Sequence, residues 1–226
     1  MKNAILALAV SLALPAVIAL PVAAQETSEH CHPQSAAQPA AAKTPETPKV
    51  AEAQPLDGLN VPDVPLVDQD GKPVRFYTDL VKDRVVAVNF VFTSCTTVCP
   101  PMGANFAKLQ KILSARAGRE VRLISVSVDP GTDTPERLKA WGAKFGAGPG
   151  WTLVTGDRNQ VTFLLKALGV YTANISDHSP LVLLGDDTRH RWTRAYGLAA
   201  PAKLAELIDQ IAAPAAPETT AKKESR

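Results

Sequence analysis

Cys95 and Cys99 are the residues whose type and spacing most directly suggest chemistry in this chain. They lie in the segment Phe92-Thr-Ser-Cys95-Thr-Thr-Val-Cys99-Pro-Pro-Met102, between an apolar, β-branched run and a stretch with helical spacing. The carboxyl end of a buried strand is where α/β sheets hold their sites, and amides at the start of a helix favour negative charge. We therefore expect at least one thiol to have a lowered pKa and to supply a thiolate that attacks disulfides or binds metals.

The two sulfurs can converge, because positions four apart share one face of a helical turn. A purely structural disulfide is the alternative, since such pairs are common in oxidising compartments. A bridge across so short a loop gains little chain entropy, and this favours a reactive pair over a structural one.

A histidine follows later in the chain, in Asp177-His178-Ser179-Pro180, directly before an apolar segment that begins at Leu181. A lone loop histidine is most often a surface residue, but the α/β topology that the pattern of elements predicts brings this loop back beside the cysteines. Two thiolates and an imidazole suit Cu(I) and Cu(II) better than Mg²⁺ or Ca²⁺. The set is too small for a closed structural zinc site, which takes four protein ligands.

The elements that must position these residues can be predicted from the pattern between Leu56 and Ala212. The nearly continuous apolar run over residues 84–92 is typical of a strand buried on both faces. Alternating βα units followed by a terminal hairpin and helix predict an α/β, thioredoxin-like fold, with a central mixed sheet flanked by helices and an N-terminal hairpin. The predicted order is a hairpin over 64–77, strand 84–92, helix 100–117, strand 121–128, a helix starting at 133–136, strand 151–154, a helix capped by Asp157 and stopping at Gly169, strands 181–184 and 191–196, and helix 202–211.

Composition limits the function classes. The chain has 226 residues, a formal net charge of +2 and 20% charged residues. A near-neutral charge provides no basic field for nucleic acid, and charges throughout the middle exclude a polytopic membrane protein. Residues 1–24 are typical of a signal peptide cut after Ala24, with an uncleaved anchor as the alternative. We expect a disordered tether over 25–55, one domain over 56–213 and a disordered tail over 214–226, with the domain in the periplasm.

Three motifs in this order closely resemble the Sco/SenC family of thioredoxin-like copper-binding proteins. They are Cys95-x-x-x-Cys99-Pro100, Val128-Asp129-Pro130 with Asp133-Thr134-Pro135, and Asp177-His178-Ser179. The resemblance covers about residues 56–211. It implies that Cys95, Cys99 and His178 are copper ligands and that the cysteines can form a redox-active disulfide. It also implies delivery of copper to the copper-A centre of cytochrome c oxidase.

Two departures from the family affect this interpretation. Relatives are often membrane-tethered, whereas this N-terminal segment is typical of a cleavable one. Pro180 stands where many relatives have an aliphatic residue, and in thioredoxins a cis-proline occupies the corresponding position. We predict a cis Ser179–Pro180 bond. The proline raises the weight of a second hypothesis, a thiol–disulfide oxidoreductase with Cys95 as the attacking sulfur. A binding domain with a structural disulfide is the third.

Further residues are candidates for smaller roles. Asp129 and Asp133 follow the second strand, where they can lie near the site. They are interpreted either as turn and capping residues or, for Asp129, as an outer-shell partner of the metal ligands. The tripeptide His30-Cys31-His32 is interpreted as an unstructured segment, a labile second copper site or a third thiol. Three interpretations are structural: Met102 as core, His190 as a solvated turn residue, and an exposed edge rather than an anion site formed by Arg189, Arg191 and Arg194.

Overall fold

A computed structural model describes residues 53–214 of the chain. Its strands are β1 (Gln54–Pro55), β2 (Pro65–Asp68), β3 (Pro73–Arg75), β4 (Val85–Val91), β5 (Val121–Ser127), β6 (Trp151–Thr155), β7 (Leu181–Asp186) and β8 (Arg191–Tyr196). Its α-helices are α1 (Cys99–Leu113), α2 (Pro135–Lys144), α3 (Arg158–Ala167) and α4 (Pro201–Ala212). The predicted signal peptide, the tripeptide His30-Cys31-His32 and most of the predicted tether and tail lie outside the described residues.

All eight strands form one mixed sheet, in the order β1-β8-β7-β4-β5-β6-β2-β3. Strands β4, β5 and β6 run parallel, and β7 pairs with β4 in the antiparallel direction. The α/β architecture with a central mixed sheet is therefore confirmed. Since β4 is hydrogen-bonded on both sides, its carboxyl end is a fixed platform for the residues that follow it.

The sheet is covered on both faces. Ala87 and Val91 of β4 belong to one apolar cluster, together with residues of α1, α2 and α4. Val86, Val88 and Phe90 point to the opposite face and belong to a second cluster with residues of α3. This alternation explains why the sequence of β4 is apolar at nearly every position. Within residues 53–214, no helix is both long and apolar enough to cross a membrane.

Three predicted boundaries are wrong, for identifiable reasons. The second strand of the N-terminal hairpin stops at Arg75, because residues 76–81 form a π-helical turn. Asp63 holds this turn, since its carboxylate accepts hydrogen bonds from the Tyr77 and Thr78 amides. Helix α1 ends at Leu113 rather than 117, where the backbone of Ser114 turns to a φ of +48°. Strand β7 continues to Asp186, where Gly185 leaves room for the Trp192 ring.

Candidate metal centre

Cys95 and Cys99 lie where β4 gives way to α1, as predicted. The Cys95 amide donates to the Phe92 carbonyl at 3.2 Å, which turns the chain directly after β4. Cys99 is the first residue of α1, and its amide donates to the Cys95 sulfur at 3.4 Å. Both are free thiols. Cys95 therefore serves as a hydrogen-bond acceptor at the start of the helix, the position that favours a thiolate.

The two thiols have opposite pKa shifts. Burial opposes ionisation of Cys95, but hydrogen bonds from the Cys99 and Thr97 amides and from the neighbouring side chains outweigh it and lower its pKa to about 7. Cys99 is fully buried, and burial, together with the nearby Cys95 and Asp133, raises its pKa to about 12. The expectation that at least one thiol has a lowered pKa is confirmed. Near pH 7, Cys95 is therefore about half thiolate, whereas Cys99 remains a thiol.

His178 is 7% exposed and follows a short 3-10 turn over Ile175–Asp177. Both of its ring nitrogens are buried and have no hydrogen-bond partner among the described residues. Burial lowers the pKa of the imidazole, so the ring is neutral at neutral pH. An imidazole left without partners at this depth costs free energy, and binding a metal ion would recover it. The donor chemistry of the three residues thus fits copper.

The pairing of strands explains why Cys95 and His178 are neighbours. Asn89 of β4 lies opposite Val182 of the antiparallel β7, so the chain leaving β4 and the chain entering β7 meet at one edge of the sheet. Cys95 and His178 both line a cavity of about 340 Å³ at that edge, together with Phe92, Thr97 and Ile175.

The three predicted ligands do not form a closed metal site in this conformation. Within residues 53–214, no three His, Cys, Asp or Glu side chains stand close enough to hold one ion. Cys95 and His178 share the cavity, whereas Cys99 is buried at the start of α1 and is absent from the cavity wall. Binding by all three would require the His178 loop and the thiols to move closer together.

Sequence reasoning placed Asp133 near the site but missed that its carboxylate supports the cysteine loop. Asp133 is 1% exposed and accepts hydrogen bonds from the Thr93 amide at 3.1 Å, the Thr93 hydroxyl at 2.6 Å and the Ser127 hydroxyl at 2.7 Å. Helix α2 is capped by Thr134 instead, which leaves Asp133 free to face inward. The signal available in the sequence was Pro135, because a proline at the first helical position makes Thr134, and not Asp133, the cap.

Asp129 makes no hydrogen bond to the predicted ligands among the described residues. Its amide donates to the Ser127 hydroxyl, and its carbonyl accepts from the amides of Thr132 and Asp133. The turn-forming interpretation is the one that these bonds support. Its carboxylate accepts no hydrogen bond within the described region, and Asp129 lines a separate cavity beside Arg158.

The predicted cis bond before Pro180 is wrong. All peptide bonds of the described residues are trans. The trans isomer is the more stable one for most X–Pro bonds, by about 0.5–1 kcal/mol. Here the chain already enters β7 in register, with the Pro180 carbonyl accepting from the Gly197 amide at 2.9 Å. The strand pairing at Pro180 therefore forms with the trans bond.

Other interpretations can also be compared with the structure. Met102 is fully buried, and His190 is an exposed turn residue with a φ of +53°, both as predicted. The exposed edge of three arginines is only partly correct. Arg189 is exposed and pairs with Asp186, but Arg191 and Arg194 are half-buried.

Comparison with known proteins identifies relatives of the chain. A protein of Stutzerimonas stutzeri, named "Putative copper-binding protein", is 34% identical over 110 residues, which cover 49% of this chain and 52% of that protein. The chain spans about half the length of the first curated relatives that it matches, 45% and 52%.

Two solved structures are similar over most of their length. A SCO1/SenC family lipoprotein from Bacillus anthracis str. Ames is 32% identical, with a TM-score of 0.60, and the match covers 70% of this chain and 98% of that one. BsSco, described as a member of the Sco family of cytochrome c oxidase assembly proteins with a disulfide switch, is 28% identical, with a TM-score of 0.59 over 70% of this chain and 95% of that one. These matches confirm the thioredoxin-like fold. A family model described as SCO1/SenC matches residues 59–213, more than half of the chain, and the chain therefore belongs to the SCO1/SenC family.

Proposed function

We propose that this chain is a periplasmic copper chaperone that binds one copper ion through Cys95, Cys99 and His178. It would deliver the ion to the copper-A centre during assembly of cytochrome c oxidase. The observation that carries the proposal is the buried His178 ring, beside the cavity that Cys95 lines. Its two nitrogens lack hydrogen-bond partners within residues 53–214. Two sulfurs and an imidazole favour copper over hard divalent ions.

Each ligand would have a distinct part in taking up this cargo. Cys95 is half ionised near pH 7, so it is the thiolate that first binds the ion. Cys99 is protonated before binding, and it releases its proton when its sulfur joins the ion. His178 is already neutral and completes the set as its loop closes on the thiols. Release would follow by ligand exchange, as thiolates of the partner replace the two cysteines one at a time.

The names and descriptions of the relatives support this proposal. The Stutzerimonas stutzeri protein carries copper binding in its name, and BsSco is described among oxidase assembly proteins. The Bacillus anthracis relative is a lipoprotein, which agrees with a location outside the cytoplasm for the present chain. Residues 1–24 would direct the chain there, either as a cleaved signal or as a membrane anchor.

The different pKa values of the thiols favour thiol–disulfide exchange as a second candidate function. The Cys95 thiolate would attack a partner's disulfide, and the partner's leaving sulfur would take up a proton. Cys99 would then lose its proton and displace the sulfur bound to Cys95. The products would be a Cys95–Cys99 disulfide and a partner with two thiols, so that two electrons pass to the partner.

Copper binding by matched histidine variants tests the first proposal. The full chain is used in reduced form, with His30, Cys31 and His32 replaced by alanine throughout to remove competing ligands. We expect one tightly bound Cu(I) per chain and an affinity at least tenfold weaker in His178→Asn, a loss of about 1.4 kcal/mol or more. His190→Asn is the control, because His190 is exposed and asparagine tolerates its positive φ.

An equal affinity in the two variants would contradict the three-ligand site. If disulfide exchange with a model substrate persists in His178→Asn while copper binding is weak even before substitution, the second candidate becomes the better account. His178 would also be excluded as a ligand if copper binding and disulfide exchange were lost in cysteine variants but both were kept in His178→Asn.

A further inference from the structure

A second and larger cavity, about 430 Å³, also has His178 in its wall. Its volume lies in the range of ~300–1,000 Å³ that is typical of ligand sites. The buried Phe90 contributes an apolar surface, and the aromatic rings of Tyr171 and Tyr196 line it as well. Since His178 is common to this cavity and to the thiol cavity, anything bound here lies beside a proposed metal ligand. We call this larger cavity the Arg194 cleft.

The Arg194 cleft carries an uncompensated positive charge. Arg194 is the one permanently charged residue in its lining, which contains no Asp or Glu. One guanidinium nitrogen, Nη2, donates to the Gly169 carbonyl at 3.2 Å, which anchors the side chain. Its Nε is buried and has no partner among the described residues. A buried donor without an acceptor is unfavourable, so the cleft favours a ligand that supplies one.

Three of the ten arginines in residues 53–214 show the ion pairing that Arg194 lacks. Arg75, Arg116 and Arg189 each form an ion pair with a carboxylate, at distances of 2.7–3.0 Å. Arg194 has no such pair in the region that the structure covers. A guanidinium matches a carboxylate in geometry and can bind both of its oxygens.

The rim of the cleft suits a protein partner. Tyr171 is 44% exposed. Among the described residues, the only other exposed large apolar side chains are Ile112 and Phe163. Tyrosine and arginine are enriched at protein interfaces and carry much of their binding energy. A partner that exchanges copper by the proposed function must also bring its own ligands close to His178.

We propose that the Arg194 cleft binds an acidic, extended segment of the protein that exchanges copper with this chain. A carboxylate of that segment pairs with Arg194, and an apolar side chain next to it packs against Tyr171 and Tyr196. The identity of the partner as a copper-exchange protein rests on the proposed function, whereas the carboxylate site itself rests on the cleft alone. No covalent step is involved.

The test needs no copper. The ¹⁵N-labelled full chain is titrated with two blocked peptides that differ only in charge, acetyl-Leu-Asp-Leu-amide and acetyl-Leu-Asn-Leu-amide. Binding is followed at the Arg194 Nε–H signal and at the amides of Gly169 and Tyr196. We expect the Asp peptide to bind at least fivefold more tightly than the Asn peptide. The preference should disappear in Arg194→Gln and persist in Arg119→Gln, because Arg119 is exposed and lies before β5, at the opposite edge of the sheet from Cys95.

Two results would overturn the inference. Equal affinities for the two peptides in the unsubstituted chain would exclude a carboxylate site, whether or not the Arg194 variant folds. Sodium propionate binding as tightly as the Asp peptide would indicate a site for small anions and not for a polypeptide segment. Copper affinity should be unchanged in Arg194→Gln, so failure here is distinguishable from failure of the metal site.

Discussion

At the scale of single residues, the most informative contrast is between two sulfurs four positions apart. Cys95 accepts hydrogen bonds at the start of α1, whereas Cys99 is enclosed by the core. Position along a helix terminus, rather than residue type, therefore decides which sulfur is ionised. The two sulfurs consequently differ in reactivity, because only Cys95 is appreciably ionised at neutral pH.

This contrast predicts a pH-dependent alkylation. A thiol with a lowered pKa becomes thiolate above that pKa, so the iodoacetamide reaction of Cys95 should rise with a midpoint near pH 7. Cys99→Ser, in a Cys31→Ser background, isolates Cys95 for this measurement. Cys95→Ser should leave a Cys99 that reacts far more slowly over the same range, since it is buried and its pKa is about 12. A midpoint above pH 8.5 for Cys95 would contradict the assignment.

At the scale of elements, Asp133 joins the end of β4 to the end of β5. Three donors from Thr93 and Ser127 converge on its buried carboxylate, and Thr93 stands two residues before Cys95. The cysteine loop therefore begins from a position fixed by a residue 40 positions away along the chain.

Substitutions at the two aspartates of this turn should differ in cost. Asp133→Ala leaves buried donors without acceptors and should lower the free energy of unfolding by about 3 kcal/mol. Asp129→Ala removes no hydrogen bond made by a side chain in the described structure and should cost about 1 kcal/mol or less. Urea denaturation of the two variants beside the unsubstituted chain measures both values. Equal costs would show that the hydrogen bonds to the Asp133 carboxylate contribute nothing of their own to stability.

The π-helical turn at residues 76–81 depends on Asp63 in a similar way. Burial opposes ionisation of its carboxyl group, but hydrogen bonds from Thr78 and Arg75, together with the charge of Arg75, lower its pKa to about 2. A carboxyl group with a lowered pKa stabilises the fold above its ordinary value near 4, and this stabilisation is lost as the pH falls towards 2.

Asp63→Asn should consequently destabilise the protein at pH 7, by about 1 kcal/mol. The difference in unfolding free energy between this variant and the unsubstituted chain should shrink between pH 4 and pH 2. Paired urea titrations at several pH values provide the measurement. A difference that stays constant down to pH 2 would mean that the ionised carboxylate is not what stabilises the turn.

At the scale of the whole molecule, local sequence patterns predict the sheet and its helices well. The apolar run of β4 and the helical spacing of Met102, Phe106 and Leu109 each report burial through neighbours close in sequence. The approach of His178 to Cys95 could also be predicted, because the fold class places that loop beside the end of β4.

Features that depend on distant side chains could not be predicted. The inward orientation of Asp133 requires Thr93, and the turn at residues 76–81 requires Asp63, more than ten positions earlier. The sequence predicts an exposed Arg194, because nothing in its neighbours along the chain indicates that the Gly169 carbonyl holds it in a cleft. In each case the decisive partner is far away in sequence, where periodicity carries no information.

The pairing of β4 with β7 gives the site an order of assembly. During synthesis both cysteines leave the ribosome well before His178, which must wait for β7 and then for the pairing of Asn89 with Val182. The newborn chain therefore passes through an interval in which its thiols exist without the imidazole. A metal captured in that interval would be held by sulfur alone, so formation of the β7–β8 hairpin would be the step that completes the proposed ligand set.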